Sequence, residues 1–85
     1  MTREEQIRLV RLDAHLALNR LAAMIQTHHS EIIELMVSRV DDGYDVYGLE
    51  GWRKTPYELD QDTLEELADG GAYQVMRRHR HALVD

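Results

Sequence analysis

Apolar residues recur every three to four positions through the first 27 residues, which is the spacing of a helix with one apolar face. The main stripe begins at Ile7 and ends at Ile25. A second flank of the same helix carries further leucines: Leu9, Leu12 and Leu16. Thr2 and Glu5 have the order of a capping box, so we predict helix 1 over about residues 2–27. Its apolar surface is wider than one neighbouring helix would cover.

The next predicted element is a short amphipathic helix, helix 2, over about residues 30–40. The polar stretch 26–30 separates it from helix 1 and is compatible with a short turn, a kink or no break at all. One side of helix 2 is apolar: Ile33, Met36, Val37 and Val40. Glu31 and Glu34 lie on the opposite side, because residues three apart share one side of a helix. The glutamates of this helix are therefore segregated from its apolar side.

Glycine and aromatic residues predict a loop over residues 41–54. Asp41-Asp42-Gly43 is expected to stop helix 2, and two further glycines keep the segment irregular. The segment holds three of the five aromatic residues of the chain: Tyr44, Tyr47 and Trp52. Their rings are expected either to cover the small core or to stack on a nucleobase.

Helix 3 is predicted over about residues 55–82. Its start has Thr55 at the N-cap, proline at the first helical position and Glu58 at the third. A further start signal, Asp62-Thr63-Leu64-Glu65, allows a break near residue 60. Small and apolar residues then form one stripe: Leu64, Leu67, Ala68, Gly71, Ala72 and Val75. The small residues in this stripe indicate close approach of another helix.

The composition supports an all-α fold and excludes some kinds of site. Phenylalanine is absent and proline occurs once, which is typical of helical proteins. There is no cysteine, so disulfides and thiolate metal sites are excluded. A lone chain of 85 residues buries only roughly 60% of its unfolded surface. We therefore predict a single small bundle of about three helices, completed by association into a homodimer or tetramer.

Charge and hydropathy restrict the partners. Sixteen acidic residues against ten basic ones give a net charge of −6, which opposes binding to nucleic-acid backbones. No apolar run approaches the length of a membrane span, and the chain opens on a charged helix instead of a signal peptide. We therefore expect a cytoplasmic protein that binds neither membrane nor nucleic acid.

Two acidic couplets are the main candidate for chemistry. The first couplet is Glu31 and Glu34 on helix 2, and the second couplet is Glu66 and Asp69 on helix 3. Each has the spacing acid-x-x-acid, which points two carboxylates in one direction. Four carboxylates brought together suit Mg²⁺ or Mn²⁺, which keep further positions for water and substrate phosphate. The alternative is that both couplets are solvated faces of ordinary amphipathic helices.

The order of these motifs resembles the signature of the all-α nucleoside triphosphate pyrophosphatases, the group of MazG and the dimeric dUTPases. The segment 65–73, EELADGGAY, also resembles small phage-encoded and actinobacterial relatives in which a Tyr-Gly loop with a Trp precedes the acidic helix. The resemblance covers about residues 30–73. It implies that the four couplet carboxylates hold Mg²⁺, and that water cleaves a bound (d)NTP to monophosphate and pyrophosphate.

Within that resemblance, Glu34 and Glu66 are the candidates for the catalytic carboxylate that orients the water. Candidate contacts to the substrate are aromatic or cationic: Trp52, Arg53, Lys54, Tyr73 and Arg77. The cations near the end of helix 3 have a second interpretation, because the helix dipole favours positive charge there. In the resembled family a further helix supplies basic and amide groups to the phosphates. For this protein, either a partner chain supplies those basic and amide groups, or catalysis has been lost.

Other functions remain open. Two histidine pairs, His28-His29 and His79-x-His81, offer imidazole nitrogen to a softer transition metal. A non-enzymatic helical module, such as a phage inhibitor of a host protein or a module that sequesters a nucleotide, would keep the fold without the reaction. An acidic mimic of nucleic acid has only the net charge in its support.

Overall fold

The computed structural model describes residues 1–84 and the side chains of residues 1–81. Three long helices and one short 3₁₀ helix follow one another, and the described residues contain no strand. Their bounds are Arg3–Thr27 for α1, His29–Tyr47 for α2, Gly51–Arg53 for the 3₁₀ helix and Pro56–Val84 for α3. The predicted all-α fold of about three helices is confirmed.

Both predicted capping boxes start their helices. At α1 the Glu5 N–H donates to the Thr2 hydroxyl at 3.2 Å, and that hydroxyl donates to the Glu5 carboxylate at 3.1 Å. At α3 the Glu58 N–H donates to the Thr55 hydroxyl at 3.2 Å, and the Thr55 N–H donates to the Glu58 carboxylate at 3.2 Å. These bonds satisfy N–H groups that have no partner within a helix. α1 and α3 therefore begin within a residue of the predicted positions.

A single residue, His28, separates α1 from α2. Its backbone leaves the helical region, with φ −108° and ψ 28°. Hydrogen bonding nevertheless continues on both sides, since His28 N–H donates to the Met24 carbonyl at 2.8 Å and Ile32 N–H donates to the His28 carbonyl at 2.9 Å. The boundary is therefore a kink, one of the three forms that the sequence left open.

The predicted end of helix 2 near residue 40 is wrong, because α2 continues through Asp41-Asp42-Gly43 to Tyr47. The glycine of that segment keeps a negative φ, so it does not interrupt the helix. Gly48 ends α2 instead. Its φ of 60° lies in the region that favours glycine, and its N–H donates to the Tyr44 carbonyl at 2.9 Å.

The break near residue 60 that the sequence allowed is absent, because α3 is continuous. The Thr63 hydroxyl donates to the Leu59 carbonyl one turn earlier, at 2.8 Å. The N-cap residue of the further start signal is Asp62, and its carboxylate accepts a hydrogen bond from the Lys54 ammonium at 2.7 Å instead of capping a new helix. The segment Asp62-Thr63-Leu64-Glu65 therefore does not begin a new helix.

The core of the chain lies between α1 and α3, which pack along each other. Ala17 of α1 and Val75 of α3 are the buried apolar residues in the described part of the chain, with 6% and 5% exposure. Leu18 of α1 lies over the buried Gly71 of α3. The small-residue stripe of helix 3 thus faces a neighbouring helix, as predicted.

Polar contacts fix the two helices as an antiparallel pair. Near the middle of α1, Asp13 contacts the His79 imidazole and, at 3.5 Å, the Arg78 guanidinium. Further along α1, the Arg20 Nε–H donates to the Gln74 side-chain oxygen at 2.8 Å. Because later residues of α1 meet earlier residues of α3, the helices run in opposite directions.

Among the described residues, α2 is largely without a partner and makes only a small contact to α1. The radius of gyration is 16.0 Å, against about 12 Å for a compact domain of this length. The accessible surface is 7598 Å², against about 5,200 Å² for a folded monomer of this mass. The chain therefore exposes about 2,400 Å² more than a compact monomer would.

Replacing Gly43 by alanine is expected to stabilise the protein by about 0.5–1 kcal/mol, because alanine loses less backbone freedom in a helix. A Cβ at this position meets no atom within 4 Å, so there is no steric cost. The melting temperature followed by circular dichroism should rise by a few degrees. Gly48→Ala is the control and should lower it, since φ is positive there. A lower melting temperature for Gly43→Ala would contradict the α2 boundary.

Candidate functional site

The first couplet lies on the acidic side of α2. Glu31 and Glu34 are both exposed and point away from the apolar side, as predicted. Because α2 is longer than predicted, the same side carries additional carboxylates at helical spacing. The complete acidic side is Glu31, Glu34, Asp41, Asp42 and Asp45. The last three were not predicted as part of this side, because the predicted helix 2 ended near residue 40, before them.

The second couplet lies on the side of α3 that faces away from α1. Gly70 and Gly71 face leucines of α1, so Asp69, about a quarter turn before Gly70, points outwards. Glu66 and Tyr73 share that outer side, and the Tyr73 ring is exposed. The tyrosine that the sequence named as a substrate contact therefore lies beside the couplet and is accessible.

The two couplets do not converge within one chain. Among residues 1–81 no three histidine or acidic side chains are placed so that they could hold a metal ion. Glu31 instead contacts the His28 Nδ1 at 3.3 Å, while Glu34, Glu66 and Asp69 form no ion pair in that part of the chain. The four-carboxylate Mg²⁺ site stays a prediction, and it requires α2 to approach the outer side of α3.

The histidine pairs are likewise not assembled into a site. His28 contacts Glu31 within its own chain segment, whereas His79 contacts Asp13 on α1. Among the described residues, His28 and His79 thus each serve as the polar partner of one carboxylate.

The expectation that the aromatic rings after helix 2 cover the core is wrong for the isolated chain. Tyr44 and Tyr47 belong to α2, and Trp52 belongs to the 3₁₀ helix. All three rings are exposed, with Trp52 at 72%. The rings are therefore accessible to a ligand or to another chain.

Lys54 and Arg53 lie beside these rings and away from both couplets in sequence. The Lys54 ammonium donates to the Asp62 carboxylate at 2.7 Å, which ties the segment after the 3₁₀ helix to α3. That hydrogen bond and the charge of Asp62 raise the pKa of Lys54 above its ordinary value of 10.5. The ion pair therefore stabilises the fold at pH values below 10.5. Its contribution is lost as the pH rises through the raised pKa of Lys54. Arg53 is exposed.

Arg77, the remaining candidate for substrate contact, lies in a groove between α1 and α3 with Arg20 and Arg78. The sequence analysis did not connect these three arginines, because Arg20 is remote in the chain and no local spacing links it to α3. The proposed substrate contacts thus occupy three regions: the 3₁₀ helix and its flank, the outer side of α3 and this groove.

Comparison with known protein families, curated proteins and solved structures finds no significant match. In the described residues, no helix combines the length and apolar character needed to cross a membrane.

Proposed function

We propose that this chain is a subunit of a homo-oligomer whose assembled form holds a Mg²⁺-dependent site for a nucleoside triphosphate. The observation that carries the proposal is the two-sided character of α2. One side is acidic and contains the first couplet, and the other is apolar and exposed. A second copy that covers the apolar side leaves the acidic side free to face α3.

The exposed surface is of the size that a stable homodimer requires. The apolar side of α2 consists of exposed residues: Ile33, Met36, Val37, Val40, Tyr44 and Tyr47. A standard protein interface buries about 800 Å² per partner, and permanent dimers bury more. The excess of about 2,400 Å² per chain exceeds the standard value. The size of this excess area favours an assembly that forms as the chain folds.

Assembly also supplies a reason for the couplets to meet. The second couplet faces away from α1, so the outer side of α3 is open to an acidic helix. Four carboxylates in contact would repel one another unless a divalent cation lay between them. Mg²⁺ would relieve that repulsion and keep positions open for a triphosphate. We place the protein in the cytoplasm, where it would meet both Mg²⁺ and nucleoside triphosphates.

The chemistry of this site rests on the couplet residues of the chain itself. Metal held by carboxylates would neutralise charge on the phosphates, and a couplet glutamate would orient the attacking water as general base. Glu34 and Glu66 are the candidates for that glutamate. Tyr73, on the same side of α3 as Glu66 and Asp69, would contact the nucleoside. The products would be a nucleoside monophosphate and pyrophosphate.

Glu66→Gln is expected to reduce pyrophosphate release by at least about 100-fold, because the amide is a weaker metal ligand and no base. The measurement is pyrophosphate and monophosphate formed from each common NTP and dNTP with Mg²⁺ or Mn²⁺. Asp60→Asn is the control, since Asp60 is also exposed but lies about a third of a turn around α3 from Glu66 and about half a turn from Asp69. Equal rates in the two variants, or release that needs no metal, would contradict the site.

A non-enzymatic helical interaction protein is the second candidate. It is favoured by the separation of the couplets in the isolated chain, together with the large exposed apolar surface. Such a protein would assemble normally without turnover. Its melting temperature would not respond to Mg²⁺ or nucleotide, and changing the couplets to amides would leave partner binding intact.

A further inference from the structure

A groove between α1 and α3 gathers three arginines in a chain whose net charge is −6. Arg20 comes from α1, whereas Arg77 and Arg78 come from α3. The groove encloses about 220 Å³, and the buried Ala17 and Val75 lie along it. Cationic groups from two helices thus surround a cavity with an apolar base.

The arginines of this groove retain most of their hydrogen-bond donors. Arg20 uses its Nε–H on Gln74 at 2.8 Å, and its terminal nitrogens make no hydrogen bond to residues 1–81. Arg77 makes no hydrogen bond or ion pair to residues 1–81. A guanidinium carries five N–H donors in a planar fork, and this fork matches two oxygens of a phosphate.

The acidic residue in the groove does not cancel this charge. Asp13 is largely buried and already contacts two partners, the His79 imidazole and the Arg78 guanidinium at 3.5 Å. The Asp13 carboxylate is therefore already occupied by those two groups. Arg20 and Arg77 have no carboxylate partner among the residues that line the groove. The groove keeps a net positive charge.

We propose that this groove binds a small phosphate-bearing anion directly, without a metal ion. Two guanidiniums from opposite walls can each donate to phosphate oxygens, and charge-assisted hydrogen bonds of this kind are stronger than neutral ones. The groove lies along the α1–α3 interface, and its Arg77 lies eight residues after Asp69, which is about 12 Å further along α3 than the second couplet. The anion site therefore goes beyond the Mg²⁺ site proposed above and does not depend on it.

Binding across the interface has a consequence for stability. An anion that contacts both Arg20 and Arg77 binds the packed helices and not the separated ones. It should therefore raise the melting temperature as its concentration rises above the dissociation constant.

The probe for the test is inorganic pyrophosphate, added to the full chain in the presence of EDTA. The salt concentration is held at about 0.1 M, where the screening length is about 10 Å and diffuse attraction is weak. Amide NMR spectra report which residues respond. We expect saturable shifts at Ala17, Val75 and their neighbours, together with a higher melting temperature.

Arg77→Gln is the decisive variant, because Arg77 makes no hydrogen bond or ion pair to residues 1–81 that the change would remove. It should weaken pyrophosphate binding by about tenfold, the usual effect of one hydrogen bond to a charged group. Arg39→Gln makes the same change on α2, away from the groove, and should leave the affinity unchanged.

Three results would overturn the anion site: no saturable shift in the wild type, binding only when Mg²⁺ replaces EDTA, or equal affinities in Arg77→Gln and Arg39→Gln. Glu66→Gln separates the two proposals. It should keep metal-free pyrophosphate binding if the groove is the site, even where it abolishes Mg²⁺-dependent turnover.

Discussion

Replacing Val75 by aspartate is expected to abolish the cooperative thermal unfolding of the chain. Val75 is 5% exposed and lies where α3 packs on α1. A carboxylate there loses its water at a cost of several kcal/mol, and about 1.5–3 kcal/mol from apolar burial is lost as well. A protein of this length has a total stability of only about 4–13 kcal/mol. Circular dichroism should therefore show a broad transition or none.

The matched control for this change is Val46→Asp on α2. Val46 is 71% exposed, so its replacement should alter the free energy of unfolding by about 0.5 kcal/mol or less. If the two variants melted alike, the contact between α1 and α3 would not be the core of the fold.

Val37→Glu is expected to dissociate the proposed homo-oligomer without unfolding its subunits. Val37 is 61% exposed in the isolated chain, where a charge is tolerated. In an assembly that covers the apolar side of α2, the new carboxylate would be buried at a cost of several kcal/mol. Each 1.4 kcal/mol is a factor of ten, so the dissociation constant should rise by at least about 100-fold. Light scattering after size exclusion gives the mass directly.

The same chain offers a control on the opposite side of the same helix. Val46 follows Val37 by nine residues, which places it about half a turn around α2. Val46→Glu should keep the wild-type mass, and both variants should keep the wild-type helix content. A wild type that stays monomeric at all concentrations would refute the assembly. Equal masses for the two variants would instead refute the α2 interface.

The start of each capped helix and the face that it packs could be predicted from the sequence, because both depend on residues within one or two turns. Thr2 and Thr55 each find their glutamate three residues on. The end of α2 could not be predicted in the same way. Gly43 and Gly48 are equally plausible stops by composition, and the choice depends on which of them takes a positive φ.

The candidate site could likewise be predicted only in part from the sequence. Helical spacing was sufficient to place Glu31 with Glu34 and Glu66 with Asp69, each on one side of its helix. Whether the two sides meet depends on the position of α2, and one chain provides too little contact to fix it. The arginine groove depends on the register of α1 against α3, which brings Arg20 beside Arg77 and cannot be read from either helix alone.

The α1–α3 pairing also affects how the chain is synthesised. Arg20 and Gln74 are 54 residues apart, and Asp13 and His79 are 66 apart. At about 5–20 residues per second, a ribosome needs roughly 3–13 s to proceed from one of these α1 residues to its partner on α3. During that time the apolar face of α1 has no helix to cover it. α1 therefore exposes apolar surface that a chaperone could bind until α3 has been made.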